Sequence, residues 1–184
     1  RMRIGLGPSG PQVSEGWYGE PFPRPLARTR TYVETVRRVL DGERVALPLP
    51  DGVPNTGLGK ALRLLARPVQ PRIPIYLGAV APKGLEQCGE IADGWMGFML
   101  NPERPEVLLD PLLTGIARSG RPRSGFDVAA MVPVAVNEDL SAARDAVRPY
   151  VAFYLGAMGA KGANFYVNVA ERYGFGEAAN AIQD

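Results

Sequence analysis

The stretch Ile73-Pro74-Ile75-Tyr76-Leu77-Gly78-Ala79-Val80-Ala81-Pro82-Lys83-Gly84-Leu85, continued to Gly94-Trp95-Met96-Gly97-Phe98-Met99, decides the fold class. Ile75-Tyr76-Leu77 reads as a short strand buried on both faces. Pro82 stands where a helix opens, and Leu85, Cys88, Ile91 and Ala92 then recur on one helical face. Gly94 to Met99 returns to strand character. A strand, a helix and another strand in direct succession make a β-α-β unit, which implies a parallel sheet.

The same rhythm extends in both directions. Downstream, Leu108, Leu112, Leu113 and Ile116 predict a helix bent at Pro111. Phe126 to Val136 predicts a third strand of this series, with Val128-Ala129-Ala130-Met131-Val132 nearly all apolar and so buried. Ser141 is the expected N-cap of a helix running toward Met158, kinked at Pro149. Gly156, Gly159 and Gly162 should break it before an amphipathic piece, Phe165 to Tyr173. Upstream, Met2-Arg3-Ile4 predicts a strand ending in Gly5 and Gly7, then a loop from Pro8 to Pro25. In the next helix Leu26, Thr29, Val33, Val36 and Leu40 share a face. Pro25 opens that helix, Glu34 and Arg38 should pair along it, and Gly42 follows its last turn. Residues 43–73, rich in proline and glycine, predict a long loop insertion with room for a small hairpin or helical turn. The sum is four consecutive βα units. On pattern alone an open doubly wound sheet and a (β/α)8 barrel both remain open.

Bulk properties exclude several classes. Of 184 residues 46% are hydrophobic and 22% charged, as in a globular domain, and the formal net charge is only +2. No strong field would draw in nucleic acid or a membrane surface. Arg28, Arg30, Arg37 and Arg38 read as a solvated helix face. The single cysteine, Cys88, leaves no internal disulfide and fits a reducing compartment. With no membrane-length apolar run and no signal-like opening, the expectation is a cytoplasmic protein. Histidine is absent, so these residues supply no Ser-His-Asp triad and no His-based metal site. Opening on Arg1 and closing on Asp184 without a stop signal, the sequence reads as clipped at both ends.

Gly5-Leu6-Gly7-Pro8-Ser9-Gly10 satisfies the G-x-G-x-x-G pattern directly after a strand. The Rossmann reading fails on context. Pro11 follows the third glycine, the helix is expected only near Pro25, and no acidic residue closes a second strand about twenty positions on. A glycine-rich turn at the carboxyl end of a strand survives. It is either a ligand-contacting turn, as such strand ends often carry, or a tight turn that needs positive φ at one or two glycines.

Gly5-Leu6-Gly7-Pro8-Ser9-Gly10-Pro11-Gln12-Val13, with Glu15-Gly16-Trp17-Tyr18-Gly19 and Pro25-Leu26-Ala27-Arg28, resembles the luciferase-like monooxygenase family. Within it the likeness is to deazaflavin (coenzyme F420)-dependent oxidoreductases. Gly57-Leu58-Gly59-Lys60, Ile73 to Leu77, Pro82-Lys83, Glu90-Ile91-Ala92-Asp93-Gly94-Trp95 and Val132 to Val136 agree in order along the chain. The resemblance implies a partial (β/α)8 TIM barrel, the four units matching the family's fourth to seventh strands. Residues 1–184 would then be a piece of a single barrel domain.

By the same resemblance, Gly7, Pro8, Ser9 and Gly10, with Gln12 and Val13, would lie against the deazaflavin ring and its side chain. Val80, Ala81, Lys83 and Gly84 would hold the coenzyme at the turn after the next strand. Ala81 stands where the family often has glycine. The residues add a reason of their own: Pro82 opens a helix whose free N–H groups favour a phosphate, and Lys83 adds charge. The bland alternative is an ordinary helix start with an exposed lysine. Trp17 and Tyr18, loop aromatics, are candidates for the rim of the site. Trp95 reads as core or pocket wall, Asp93 as a structural turn residue, and Glu15 as a solvated loop carboxylate. Tyr150, Phe153, Tyr154, Phe165, Tyr166 and Tyr173 read as core or interface packing. No catalytic residue and no metal ligand is named, since the family's proton-handling residues sit on earlier strands.

The implied activity of the parent protein is hydride transfer between coenzyme F420 and a small organic substrate. The alternatives are a flavin mononucleotide (FMN)-dependent monooxygenase of the same family, and an inactive half-barrel that needs a partner segment. The expected partners are a small molecule and, through exposed sheet edges, further copies of the chain as a homo-oligomer.

Overall fold

A computed structural model describes residues 1–49 and 51–183. Its centre is a four-stranded, all-parallel sheet in sequence order, built from β1 (Ile4–Leu6), β2 (Ile75–Gly78), β3 (Gly94–Gly97) and β4 (Asp127–Ala130). Register is continuous across it: Gly5 faces Tyr76, Tyr76 faces Gly94, and Gly94 faces Asp127. Four successive βα units in this order are part of a (β/α)8 barrel, as expected.

Helices α2 (Pro25–Leu40), α3 (Pro82–Ile91) and α4 (Glu106–Arg118) cover one face. Alternation along β2 sends Ile75 and Leu77 into the core beneath them, with Leu85, Cys88, Trp95, Leu108, Leu112 and Ile116. Two glycines bring α3 and α4 together backbone to backbone. A Cβ at Gly115 would stand 1.9 Å from the Glu86 carbonyl oxygen, and one at Gly89 2.2 Å from that of Leu112. Helix α2 docks by polar contacts as well as by Val33. Gln87 donates to the Leu26 carbonyl at 2.8 Å, Arg30 pairs with Glu90, and Arg37 reaches Asp93 at 3.0 Å. Arg30 and Arg37 therefore join elements, where the sequence suggested a solvated face.

Several boundaries differ from expectation. Strand β1 runs through Gly5 to Leu6, because pairing with Tyr76 and Leu77 carries it past the glycine. A single helical turn, α1 (Pro11–Ser14), interrupts the first loop, with Gly10 as its N-cap. Helix α2 ends in a Schellman motif, in which Gly42 (φ 81°) bonds back to Val39 and Glu43 to Arg38. That turn brings Glu43 to Arg38 at 2.7 Å, displacing the expected Glu34 pair. The described residues of 43–73 contain one antiparallel bridge, Val45 to Leu62, and no helix.

Strand β4 is shorter than expected and largely exposed, and Val132 and Val134, expected within it, lie beyond its end at 67% and 78% exposure. Among the described residues nothing pairs with its outer edge, so its apolar run lacks the cover that buries β2 and β3. Helix α5 (Leu140–Ala152) is capped by Asp139, whose Oδ1 accepts from Ser141 N at 2.8 Å. Ser141 is thus the recipient of the cap. A π turn, Phe153–Ala157, follows. Buried Asn164 serves that turn and the next helix together. Its Nδ2 donates to the carbonyls of Tyr154 and Leu155, and its Oδ1 caps α6 (Phe165–Arg172). A last helix, α7 (Gly176–Gln183), has no counterpart in the sequence reading. No described helix is long and apolar enough to cross a membrane.

Candidate functional site

The loops that leave the carboxyl ends of β1, β2 and β3 enclose a cavity of about 440 Å³, within the range of small-ligand sites. All ten positions singled out in the sequence line it. Gly7, Pro8, Ser9, Gly10, Gln12 and Val13 come from the first loop, and Val80, Ala81, Lys83 and Gly84 from the second. They meet because parallel pairing of β1 with β2 puts both loops on the same side of adjacent strands.

The first loop resolves what its glycines do. Neither Gly5, Gly7 nor Gly10 has a positive φ, and the left-handed residue is Ser9, at φ 64°. The tight-turn reading required positive φ at glycine and is corrected accordingly. A Cβ on Gly7 would meet nothing within 4 Å. Gly10 lies near the Gln12 amide and the Phe165 ring, so its side-chain space opens on the cavity. Strain gathers at this end of the sheet: besides Ser9, Arg24 at the start of α2 (φ 47°) and Met99 after β3 (φ 56°) are left-handed.

The second loop is an extended turn into α3. Ala81 is its N-cap at φ −76° and ψ 144°, and Pro82 occupies the first helical position. The N–H groups of Lys83 and Gly84 belong to the helix's first turn, whose donors have no intrahelical acceptor. The Trp95 indole donates to the Ala79 carbonyl at 2.9 Å, so this fully buried tryptophan is core and also braces the turn. The Lys83 ammonium pairs with Glu86 at 3.0 Å and is largely exposed, so its charge is partly answered within the helix. Lys83 and Arg118 hold the Glu86 carboxyl below its ordinary value, the Lys83 hydrogen bond being the largest effect.

Of the remaining wall, only Phe165 and Tyr166 were read as packing in the sequence, and the others carried no site expectation. Phe22, Met96, Phe98, Met158, Phe165 and Tyr166 face the cavity. Phe98 sits in an aromatic cluster, its ring 4.4 Å from that of Tyr154 and 5.3 Å from that of Tyr166. The helical spacing of Tyr150, Tyr154 and Tyr166 gave no sign of this, because Phe98 reaches the cluster from a strand end. Burial raises the Tyr166 phenol above its ordinary value, and Tyr154 adds to the shift. Beyond Phe98 lies a second apolar groove of about 490 Å³, bordered by Val132, Tyr150, Phe175 and Ile182.

Four residues weighed in the sequence stand apart from the cavity. Trp17 and Tyr18 are 81% and 71% exposed, stack on one another, and do not border the cavity. The Glu15 carboxylate is exposed, as expected, and accepts the Phe22 N–H at 3.1 Å within the loop. Asp93 lies before β3, at the opposite end of the sheet, where it accepts from Ile75 N, Arg37 and Arg72. The cavity residues include no carboxylate and no imidazole. The described residues contain no cluster of candidate metal ligands.

Comparison with known proteins places this arrangement. A profile of the luciferase-like monooxygenases matches residues 1–184. A candidate coenzyme F420-dependent oxidoreductase of Mycobacterium tuberculosis is 41% identical, over 99% of this chain and 55% of its own length. The 5,10-methylenetetrahydromethanopterin reductase of Archaeoglobus fulgidus is 32% identical over 100% of the chain and 51% of its own length. The chain thus spans about half the length of the curated relatives it matches. Among solved structures, the coenzyme F420-dependent tetrahydromethanopterin reductase of Methanopyrus kandleri superposes with a TM-score of 0.69 at 27% identity, covering 100% of this chain and 58% of that one. An F420-dependent secondary alcohol dehydrogenase shares the fold at a TM-score of 0.68 and 19% identity, over 83% of this chain and 46% of that one. With its parallel βα units, its cavity at the strand ends and this match along its length, the chain belongs to the luciferase-like monooxygenase family.

Proposed function

We propose that these residues form part of an oxidoreductase that moves hydride between coenzyme F420 and a small organic substrate. In this reading the chain is one piece of a single barrel domain and supplies part of the coenzyme's cradle. One observation carries it: two loops distant in sequence converge on a single, mainly apolar cavity, with backbone N–H donors of α3 at one side. The relatives named for F420 support the choice of coenzyme.

The residues present fit a flat ring with an anionic side chain. At Gly7 neither φ nor packing calls for glycine, which leaves open space for a ring to approach the backbone closely. Phe98, Met96 and Phe165 offer apolar contact and keep water from the ring. The first turn of α3 would receive a phosphate on Lys83 N and Gly84 N, with partial positive charge from the helix end. When bound, the coenzyme supplies the hydride chemistry itself. The chain's own part is binding, orientation and exclusion of water. Tyr166 stays protonated in the neutral range and can donate a hydrogen bond from the cavity wall.

The test is binding by the full-length protein, made in a host without deazaflavin and offered F420 and FMN separately. F420 binding with reduction on addition of a small alcohol or similar donor is the expected result. Binding of FMN alone would replace this reading with the flavin monooxygenase one.

A further inference from the structure

The turn after β2 is held from behind at two successive carbonyls. Trp95 Nε1 donates to the Ala79 oxygen at 2.9 Å, and Arg172 Nη2, from α6, donates to the Val80 oxygen at 2.5 Å. The other arm of Arg172, Nη1, donates to the Val107 oxygen at 3.2 Å. In an uninterrupted helix that carbonyl would accept from the residue four positions on, which here is Pro111 and has no N–H. One guanidinium therefore ties α6 to α4 and to the edge of the cavity. Among the described residues no carboxylate pairs with it, so the whole of its charge is set against neutral carbonyls.

The consequence for the cavity follows from peptide geometry. In a trans peptide the C=O and N–H point in opposite directions, and the described chain has no cis bond. With the Ala79 and Val80 carbonyls drawn toward Trp95 and Arg172, the N–H groups of Val80 and Ala81 turn the other way. Val80 and Ala81 border the cavity, and neither N–H has an acceptor among the described residues.

We propose that Arg172 is a positioning residue for the coenzyme: through the Val80 carbonyl it fixes the Ala81 N–H as a donor to the coenzyme's anionic side chain. Trp95 acts in the same way on the Val80 N–H through Ala79. This inference rests on the cofactor reading above. It assigns a role to a residue outside the cavity wall, on an element about ninety positions further along the chain.

The test compares Arg172→Met and Arg172→Lys with a matched control, Arg104→Met. Arg104 anchors the neighbouring Tyr173 carbonyl at 3.0 Å and does not touch the turn. Two probes are titrated into the full-length protein: coenzyme F420, and its deazaflavin core lacking the phosphate. Arg172→Met is expected to weaken F420 about tenfold and the phosphate-free core by no more than about twofold. Arg172→Lys, whose ammonium cannot span both carbonyls, should fall between. Hydrogen exchange without any cofactor gives a second readout, with residues 79–84 exchanging faster in Arg172→Met and unchanged in Arg104→Met.

Equal weakening of both probes, matched by the control, would overturn the positioning role, as would unchanged exchange in the turn. Failure of the wild-type protein to bind either probe overturns the cofactor reading itself. Normal wild-type binding with an unaffected Arg172→Met overturns only the part assigned to Arg172.

Discussion

Tyr76 and Asp127 lie two strands apart in one cross-sheet row, and the Tyr76 hydroxyl donates to the Asp127 carboxylate across the bare backbone of Gly94. The row reads Gly5, Tyr76, Gly94, Asp127, so the phenol ring is flanked on both sides by glycine. A Cβ on Gly94 would stand 2.4 Å from Tyr76 Cε1. The ring is rigid and would have to leave its place, breaking the bond to Asp127. Gly94→Ala is expected to cost about 2–3 kcal/mol of stability. Tyr76→Phe keeps the ring and should cost only about 1 kcal/mol. Urea denaturation of the two variants checks the order, and a milder Gly94→Ala would show that the ring is free to move.

Asp93 organises the opposite end of the sheet. Its Oδ2 accepts from Ile75 N at 2.8 Å and from Arg37 at 3.0 Å, while Arg72 donates to Oδ1 at 2.8 Å. Burial alone would raise its pKa. The Ile75 N–H, Arg72 and Arg37 outweigh burial and hold the carboxyl below its ordinary value. As pH falls, the unfolded chain therefore takes up this proton before the native chain does. The stability Asp93 contributes is present above about pH 4 and is lost as pH falls through the lower folded value. Asp93→Asn should cost about 2–3 kcal/mol at pH 7, since the guanidinium groups of Arg37, Arg72 and, at 3.9 Å, Arg121 lose their charged partner. It should also flatten the acid limb, which melting temperatures between pH 7 and pH 3 would read.

Gly7 separates the needs of the fold from those of the ligand. Its φ is ordinary and a Cβ there meets open space. Gly7→Val should therefore change stability by no more than about 1 kcal/mol, in either direction. In the proposed function the added methyl groups occupy the path of the ring, and F420 binding should weaken at least about tenfold. A variant that is stable and binds F420 normally would remove Gly7 from the cradle.

How much of this was legible in the sequence depended on the range of the interactions. Ile75-Tyr76-Leu77, Pro82 and Gly42 carry their structure locally, through apolar runs, a helix start and a C-terminal glycine, and each sits where its residue type requires. The ten cavity positions were reached through likeness to a family and through the rule that parallel strands present ligands at their carboxyl ends. Val132 and Val134 mislead in the opposite way. Their apolar character is that of a covered strand, yet burial depends on a neighbour that the pattern of β4 does not contain. Phe98, Phe165 and Tyr166 were missed as cavity wall because an aromatic in a core and an aromatic beside a ligand look alike in one sequence. Arg172 carried no signal at all: its partners are carbonyls, which every residue has, and the gap it fills is made by a proline 61 positions away.

Cys88 offers a probe of the core between α3 and the sheet. It is fully buried, with its Sγ 3.6 Å from the Gly94 oxygen and 3.8 Å from that of Leu77. Burial pushes the thiol up to about 12, only partly opposed by the Leu77 contact and Arg121. Below the ordinary thiol value of about 8.5 both native and unfolded chains keep the proton, and the group has no effect on pH dependence. Above it the unfolded chain ionises first, so stability should fall as pH rises between about 8.5 and 12. Cys88→Ala should remove that slope, at a cost of about 1 kcal/mol at neutral pH for the vacated space. At pH 8 an aromatic disulfide reagent should label the native protein only at its rate of opening and the urea-unfolded protein at once. Rapid stoichiometric labelling of the native protein would mean that α3 does not seal the sheet at Cys88, and the packing of Leu85, Trp95 and Leu112 around it would then have to be looser than the buried cluster requires.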